Sequence, residues 1–534
     1  MLNSKSMKSQ SIQPGSKPAT SVGARLLLLV AAVTALNGLV LLAAPPHTSE
    51  LWGAGGEKWS PTNRLPDFSF AGYRRGEEPF RIPKESVSVA SFGAKGDGTN
   101  DDTEAFTKAI AAGAGKVVLI PPGRFLLSNV LEIRRSNLVL QGAGSGKTVL
   151  LFTRPLEELR PRPSKTDGNQ PTTSWSWGGG LIMVGSKETS SPERTTRITS
   201  AAQRGARRLT LEEAAFKAGD EVVLTVQDDR EKTLLRYLYR GQAGNITGLN
   251  NWKCRQVFRV VAVSGNNTVT VDRPLRFDAR LEWQPRLHLF QPDVMDVGVE
   301  GLSFEFPPTR YGGHFREVGF NPVAIEASAA HCWLRDLRIW NADSGPYICG
   351  TFCTLEGIRI GADPQRKSAQ GHTGHHGITF YGHDSLCTNF TIETRFIHDL
   401  TVQSAMGCVY CAGRAENLCT DHHRWAPYEN LFTDIDGGQG SRLFSSSGGG
   451  NRGAHTAAGA TFWNIRTRQP AQLGGGLGIN AVNLVGVNLR ESKEGLPDGL
   501  WFEAFPSGQV APPNLHAAML QRRQKSTGPT AARP

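Results

Sequence analysis

One recurrence constrains this chain more than anything else in it. Leu334, Leu337 and Ile339, with polar residues between them, return 21 residues later as Leu355, Ile358 and Ile360. The alternation is that of a short strand with one buried face. Looser copies run from Val299 to Phe304, Ile397 to Val402 and Val482 to Val487. Cysteines keep the same step: Cys332 to Cys353 is 21 residues, and so is Cys387 to Cys408. Short strands returning without helices between them stack as the coils of a solenoid, equivalent positions forming inward ladders. The expected fold class is all-β, a parallel β-helix.

Composition agrees and narrows the function. With 60 glycines and 31 prolines in 534 residues, the chain is turn-dense and long enough for a large core. A formal charge of +11 attracts polyanions, nucleic acid and acidic polysaccharide alike. The N-terminus discriminates. Lys5, Lys8, Lys17 and Arg25 precede an apolar run from Leu26 to Ala44, broken by Pro45 and Pro46. Residues 1–44 read as a signal peptide cleaved near Ala43 or Ala44, or as a signal anchor. Either way the body is secreted or extracytoplasmic. Nucleic acid drops out as a partner, and a membrane is one only if the segment stays uncleaved. Export makes disulfides the default for eight cysteines, although the 21-residue step reads as a ladder for some of them. Cys408 and Cys411 lack the second pair that a structural zinc ribbon needs.

Residues 45–84 show no period and read as an N-terminal arm. The most specific stretch follows: Phe92, Gly93, Gly96, Asp97, Asp101, Asp102 and Thr103, then a helical pattern to Ala112 and a strand-and-turn from Lys116 to Gly123. It resembles the N-terminal cap of the pectate-lyase-like superfamily of right-handed parallel β-helix proteins, many of which act on polysaccharides. The resemblance implies a right-handed solenoid over residues 85–505 with an N-terminal capping helix, started by Asp101 or Asp102. Gln141 to Thr148 mimics a phosphate-binding loop, but Gln141 stands where the first glycine belongs and a strand pattern follows, so a turn between coils is expected. Residues 154–290 break the repeat and read as a β-rich insertion walling a groove, in which Trp175 and Trp177 would stack on sugar rings. Residues 506–534 become basic and small and read as a disordered tail.

Chemistry concentrates between His372 and Arg442, which hold seven of the 13 histidines. A lyase acting on a uronate-containing polysaccharide must neutralise a carboxylate, remove a weakly acidic carbon-bound proton and protonate the leaving oxygen. Arg424 or Arg442, His422 or His423, and Tyr428 are the candidates for those three tasks. Neighbours on a strand face opposite ways, so one of His422 and His423 is expected in the groove. His398 beside Asp399 offers another oriented imidazole, and His375 and His376 in a Gly-flanked pair suit substrate binding. Asp434 and Asp436, on one face of a strand, suit a divalent cation such as calcium, or the acid pair of a glycoside hydrolase. A histidine-and-aspartate zinc site is a rival use of the cluster. No cofactor is demanded by sequence. The expected function is polysaccharide lyase acting on an acidic extracellular glycan; the alternatives are hydrolysis on the same fold, or glycan binding and adhesion without catalysis.

Overall fold

A computed structural model describes residues 46–527 except Asn266, 475–476, 478–480 and Ser507. The signal or anchor segment lies outside the described residues, among which no helix is long and apolar enough to cross a membrane.

The fold is the expected right-handed parallel β-helix. Its first sheet stacks Leu131–Ile133, Ile182–Val184, Val323–Ile325, Tyr347–Ile348, Gly374–Phe380, Phe396–Val402 and Thr420–His422 in parallel. A second stack runs from Val117–Ile120 through Trp333–Trp340 and Thr354–Gly361 to Asn483–Val487. Its inward ladder reads Leu140, Val299, Leu334, Leu355, Cys387, Tyr410, Phe432, Phe462 and Leu484, one apolar side chain per coil. Tyr410, Phe432 and Phe462 stack at 5.2 and 5.0 Å between centroids, each contact adding roughly 0.5–1.5 kcal/mol beyond area burial. The 21-residue match of Leu334 with Leu355, and the copy at Val299, are therefore true coil equivalences.

Two columns of left-handed residues turn every coil. Two positions before the paired Gly298, Trp333, Thr354, Leu386, Val409 and Leu431 stand Asp296, His331, Phe352, Asp384, Gly407 and Glu429, all with φ between 48 and 68°. Three positions after these paired residues, and after Thr461 and Asn483 in the next coils, stand Gly301, Asp336, Gly357, Asn389, Ala412, Asp434, Asn464 and Gly486, with φ between 49 and 68°. This conformation costs an L-residue roughly 1–2 kcal/mol, least for Gly, Asn and Asp, which is why those three fill most of the second column. In the first column the acids are held from outside. Asp384 accepts Arg273 at 2.7 Å and Arg276 at 2.8 Å, Glu429 accepts Arg204 at 2.9 Å and Arg276 at 3.1 Å, and Asp296 pairs with Arg74. All three carboxylates are buried, and their partners come from the arm and the insertion.

Several expectations need correction. The insertion is narrower than residues 154–290, because Ile182–Val184 belongs to the first sheet; the separate antiparallel sheet runs from Thr195–Arg197 to Arg286–Leu289. Ile397 to Val402 lies in the first sheet, not on the Leu334 stack, and Cys387 is level with Leu355 and Tyr410, not Cys408. Loop lengths between coils vary, so a fixed step loses register after Gly361. All eight cysteines are free; Cys332, Cys353 and Cys408 do share one column, with Ser385 between the last two. The tail expected to be disordered forms the helix Leu515–Thr527. Leu515 and Met519 bury against Leu51, Trp52, Leu65 and Phe68 of the arm on the outer face of the second sheet, and that apolar contact outweighs the basic composition. Thr103–Ala112 is helical as expected and packs Phe106 edge-on against Phe125. Asp101 accepts the Thr103 amide at 3.0 Å, whereas Asp102 binds the amides of Lys95 and Gly96.

Candidate functional site

The first sheet builds the site. Phe380, Val402 and His422 form its inward ladder, while Thr379, Thr401 and Asp421 form the outward one. His376 and His398 occupy the same register in adjacent coils, their rings 5.0 Å apart. His375 lies 4.0 Å from His376, and His423, just past the next strand, lies 5.4 Å from His398, centroid to centroid. The loop after Val297–Glu305 adds His314, whose Nε2 is 3.0 Å from Nε2 of His375. Five imidazoles thus converge beside one carboxylate, Asp421.

Hydrogen bonds orient this set. His423 Nδ1 is 2.6 Å from Asp421 Oδ2, and His398 Nδ1 is 3.4 Å from the same oxygen but too poorly aimed to bond. Ser447 donates its amide to Asp421 Oδ1 at 2.8 Å, and its hydroxyl lies 3.2 Å from both His398 Nε2 and His423 Nδ1. His376 Nδ1 meets the Thr401 hydroxyl at 3.1 Å. His375 Nδ1 faces the Ser176 carbonyl at 2.8 Å and Glu317 Oε1 at 3.5 Å; Glu317 also accepts the Tyr311 hydroxyl. Burial, and then the neighbouring imidazoles, push His375 and His376 well below the ordinary histidine value. Burial lowers His398 to about 3 despite Asp421. For Asp421 burial opposes ionisation, but His398, His423 and the Ser447 amide outweigh it and hold the carboxyl below the usual range. Burial raises Glu317 to about 7. At neutral pH the buried His375, His376 and His398 are uncharged bases, with the Asp421 carboxylate ionised beside His398 and His423.

Of the residues expected from sequence, His375, His376, His398 and His423 come together here, and half-buried Trp177 joins the rim, its ring 5.9 Å from Phe315, on which His314 stacks. The others do different work. His422 sits on the inward ladder, its ring 5.4 Å from Phe432 and 5.6 Å from Phe462, and these core contacts keep it out of the site. Arg424 is occupied by the carbonyls of Gly448 and Gly453 and by His455. Asp399 accepts the amides of Phe396 and Cys419 and pairs with Arg442 at 2.9 Å, and Arg442 also holds the carbonyls of Phe396 and Ile397, so the pair ties the start of that strand in place. Tyr428 is buried in the core shared with the insertion, its hydroxyl 3.5 Å from the Arg276 carbonyl. Trp175 is buried in the main core and donates Nε1 to the Arg160 carbonyl, leaving no face for a sugar. Asp434 is a left-handed corner residue paired with Arg466 at 2.6 Å, and Asp436, exposed, accepts the Gly438 amide. They form no cation cradle. His314, Tyr311, Glu317 and Ser447 were not identified from sequence; they sit in aperiodic loops, and only the Ser- and Gly-rich run from Ser445 to Gly453 gave a signal.

Ring nitrogens or carboxylate oxygens approach within 4.8 Å in two groups: His314, His375 and His398, and His398, Asp421 and His423. Calcium takes oxygen ligands, and this nitrogen-rich set does not fit it.

The chain is a parallel β-helix that carries a cluster of imidazoles on its first sheet. The family model described as "Rhamnogalacturonase A/epimerase, pectate lyase-like" matches residues 86–172, which include the Phe92–Thr103 motif. The pre-neck appendage protein of Bacillus phage PZA is 41% identical over 87 residues, 16% of this chain and 10% of that protein. Alginate lyase 7 of Azotobacter vinelandii is 42% identical over 72 residues, 12% of this chain and 8% of that protein. The chain thus spans about a tenth of the length of the curated relatives it matches, and the family-model match ends at residue 172, before the histidines. Among solved structures, the tailspike of Pseudomonas phage LKA1 aligns over 74% of this chain and 75% of its own, at 14% identity and a TM-score of 0.39. An exopolygalacturonase from Thermotoga maritima aligns over 80% of each chain at 10% identity and a TM-score of 0.34.

Proposed function

We propose that this protein is a secreted enzyme that cleaves a uronate-containing polysaccharide by β-elimination, with His423 as the base. The observation that carries the reading is the His423–Asp421 pair at 2.6 Å on the outward face of the first sheet. An ionised carboxylate fixes the tautomer of the imidazole, leaves Nε2 free to take a proton, and stabilises the imidazolium that results. His423 removes the proton next to the uronate carboxylate, the carbon–oxygen bond to the leaving sugar breaks, and the same imidazole returns the proton to that oxygen. Arg395, exposed beside His372 and Arg442, gives the rim the positive charge that a uronate needs. Trp177 supplies an apolar face for the ring of a neighbouring sugar. Hydrolysis finds less support, because Asp434 is committed to a coil corner and Arg466.

The test is incubation with a panel of acidic and neutral polysaccharides, following near-ultraviolet absorbance and reducing ends together. The two signals should rise together on an acidic glycan. Reducing ends without absorbance would replace elimination by hydrolysis, and glycan binding without either signal would leave a binding or adhesion protein.

A further inference from the structure

We propose that His314, His375 and His398 form a binding site for one divalent transition-metal ion of the zinc class. Metal binding here stands apart from the cleavage proposed above; only a role for the ion in that cleavage would rest on it.

Protonation carries the first step. His375 Nδ1 faces the Ser176 carbonyl at 2.8 Å, and a carbonyl only accepts, so Nδ1 carries the ring proton. Its Nε2 is then a lone pair, and it points at Nε2 of His314, 3.0 Å away. Ligating histidines have their other ring N–H held by a carbonyl or carboxylate in this way, and Glu317, 3.5 Å from His375 Nδ1, adds a second such contact.

His398 supplies the independent observation. The residue is only 5% exposed, and Nδ1, 3.4 Å from Asp421 Oδ2, makes no hydrogen bond. A buried, unsatisfied ring nitrogen is costly unless something fills it. One nitrogen from each of the three rings lies within 4.8 Å of the others. Zinc–nitrogen bonds of about 2.0–2.1 Å place tetrahedral ligands roughly 3.3 Å apart, so the nitrogens need close by at most about 1.5 Å. Imidazole nitrogens favour zinc, copper or nickel over calcium or magnesium. His314 is exposed and the other two are buried, which leaves the ion's outer side open, as in sites that take up a further ligand.

The experiment uses untagged full-length protein, stripped with a chelator, dialysed, and titrated with zinc by calorimetry and with cobalt by visible absorbance. One equivalent of zinc and ligand-field bands of a nitrogen-bound cobalt ion are expected. His314→Ala and His375→Ala should each weaken zinc binding at least ~10-fold, while Asp434→Asn should bind as the parent does. Uptake far below one equivalent, or affinity unchanged in both histidine variants, would overturn the site. If His375→Ala does not fold, His314→Ala decides, because that side chain is exposed. The two proposals separate cleanly: one equivalent of zinc in a protein that leaves every glycan intact defeats the cleavage alone, and cleavage by protein that takes up no zinc defeats the metal site alone.

Discussion

The corner column and the histidine cluster are both buried sets of titratable groups, and they solve burial in opposite ways. Asp384 and Glu429 are each clasped by two guanidiniums from outside the coils. The cluster places neutral imidazoles side by side, with Asp421 as the anion among them. Opposite charge compensates the first set, so its work is to fasten the insertion to the solenoid. The second has more ring nitrogens than Thr401 and Ser447 can satisfy, His398 Nδ1 among those left without a hydrogen bond, which stabilises little and leaves nitrogens available for a proton, an ion or a substrate.

The sharpest way to break this contrast is to exchange the expected losses. Asp384→Ala leaves Arg273 and Arg276 buried without their shared partner and should cost about 3–5 kcal/mol in chemical denaturation; a cost under ~1 kcal/mol would mean that the column does not anchor the insertion. His423→Ala should reduce cleavage at least ~100-fold, or about 2.7 kcal/mol of barrier, with the melting temperature nearly unchanged. Acidification sharpens the first half further. Burial raises the Asp384 carboxyl, but Arg273 and Arg276 outweigh it and hold it below the usual range. A carboxyl depressed in the folded state stabilises above its unfolded value near 4 and loses that contribution as pH falls below it. Melting temperature should therefore drop from about pH 4 downward, and Asp384→Asn should flatten that limb. The smallest effect belongs to Asp434→Asn: asparagine also tolerates the left-handed corner and the part-exposed pair with Arg466 is weak, so stability should change by no more than ~1 kcal/mol and cleavage not at all.

How much was legible in the sequence follows from what kind of order carries it. The coils announced themselves where the strand pattern itself recurs, at Val299, Leu334 and Leu355, and vanished where the loop after Gly361 lengthens, so that Cys387 and the strand Phe396–Val402 were assigned to the wrong neighbours. Alternation was enough to say that only one of His422 and His423 faces the groove. It could not say which, because that depends on the register of Thr420–His422 against Phe396–Val402. Arg424, Tyr428 and Asp399 carry suitable chemistry but spend it on backbone carbonyls, the insertion core and Arg442. His314, Glu317 and Ser447 reach the site across loops, and no local pattern encodes such a meeting.

The most direct measurement is a side-by-side assay of the parent protein and His423→Ala on an acidic polysaccharide, recording near-ultraviolet absorbance, reducing ends and melting temperature. The account expects absorbance and reducing ends to rise together for the parent and to be lost in the variant, at equal stability. Cleavage that survives His423→Ala, or no cleavage by the parent on any acidic glycan, would contradict it.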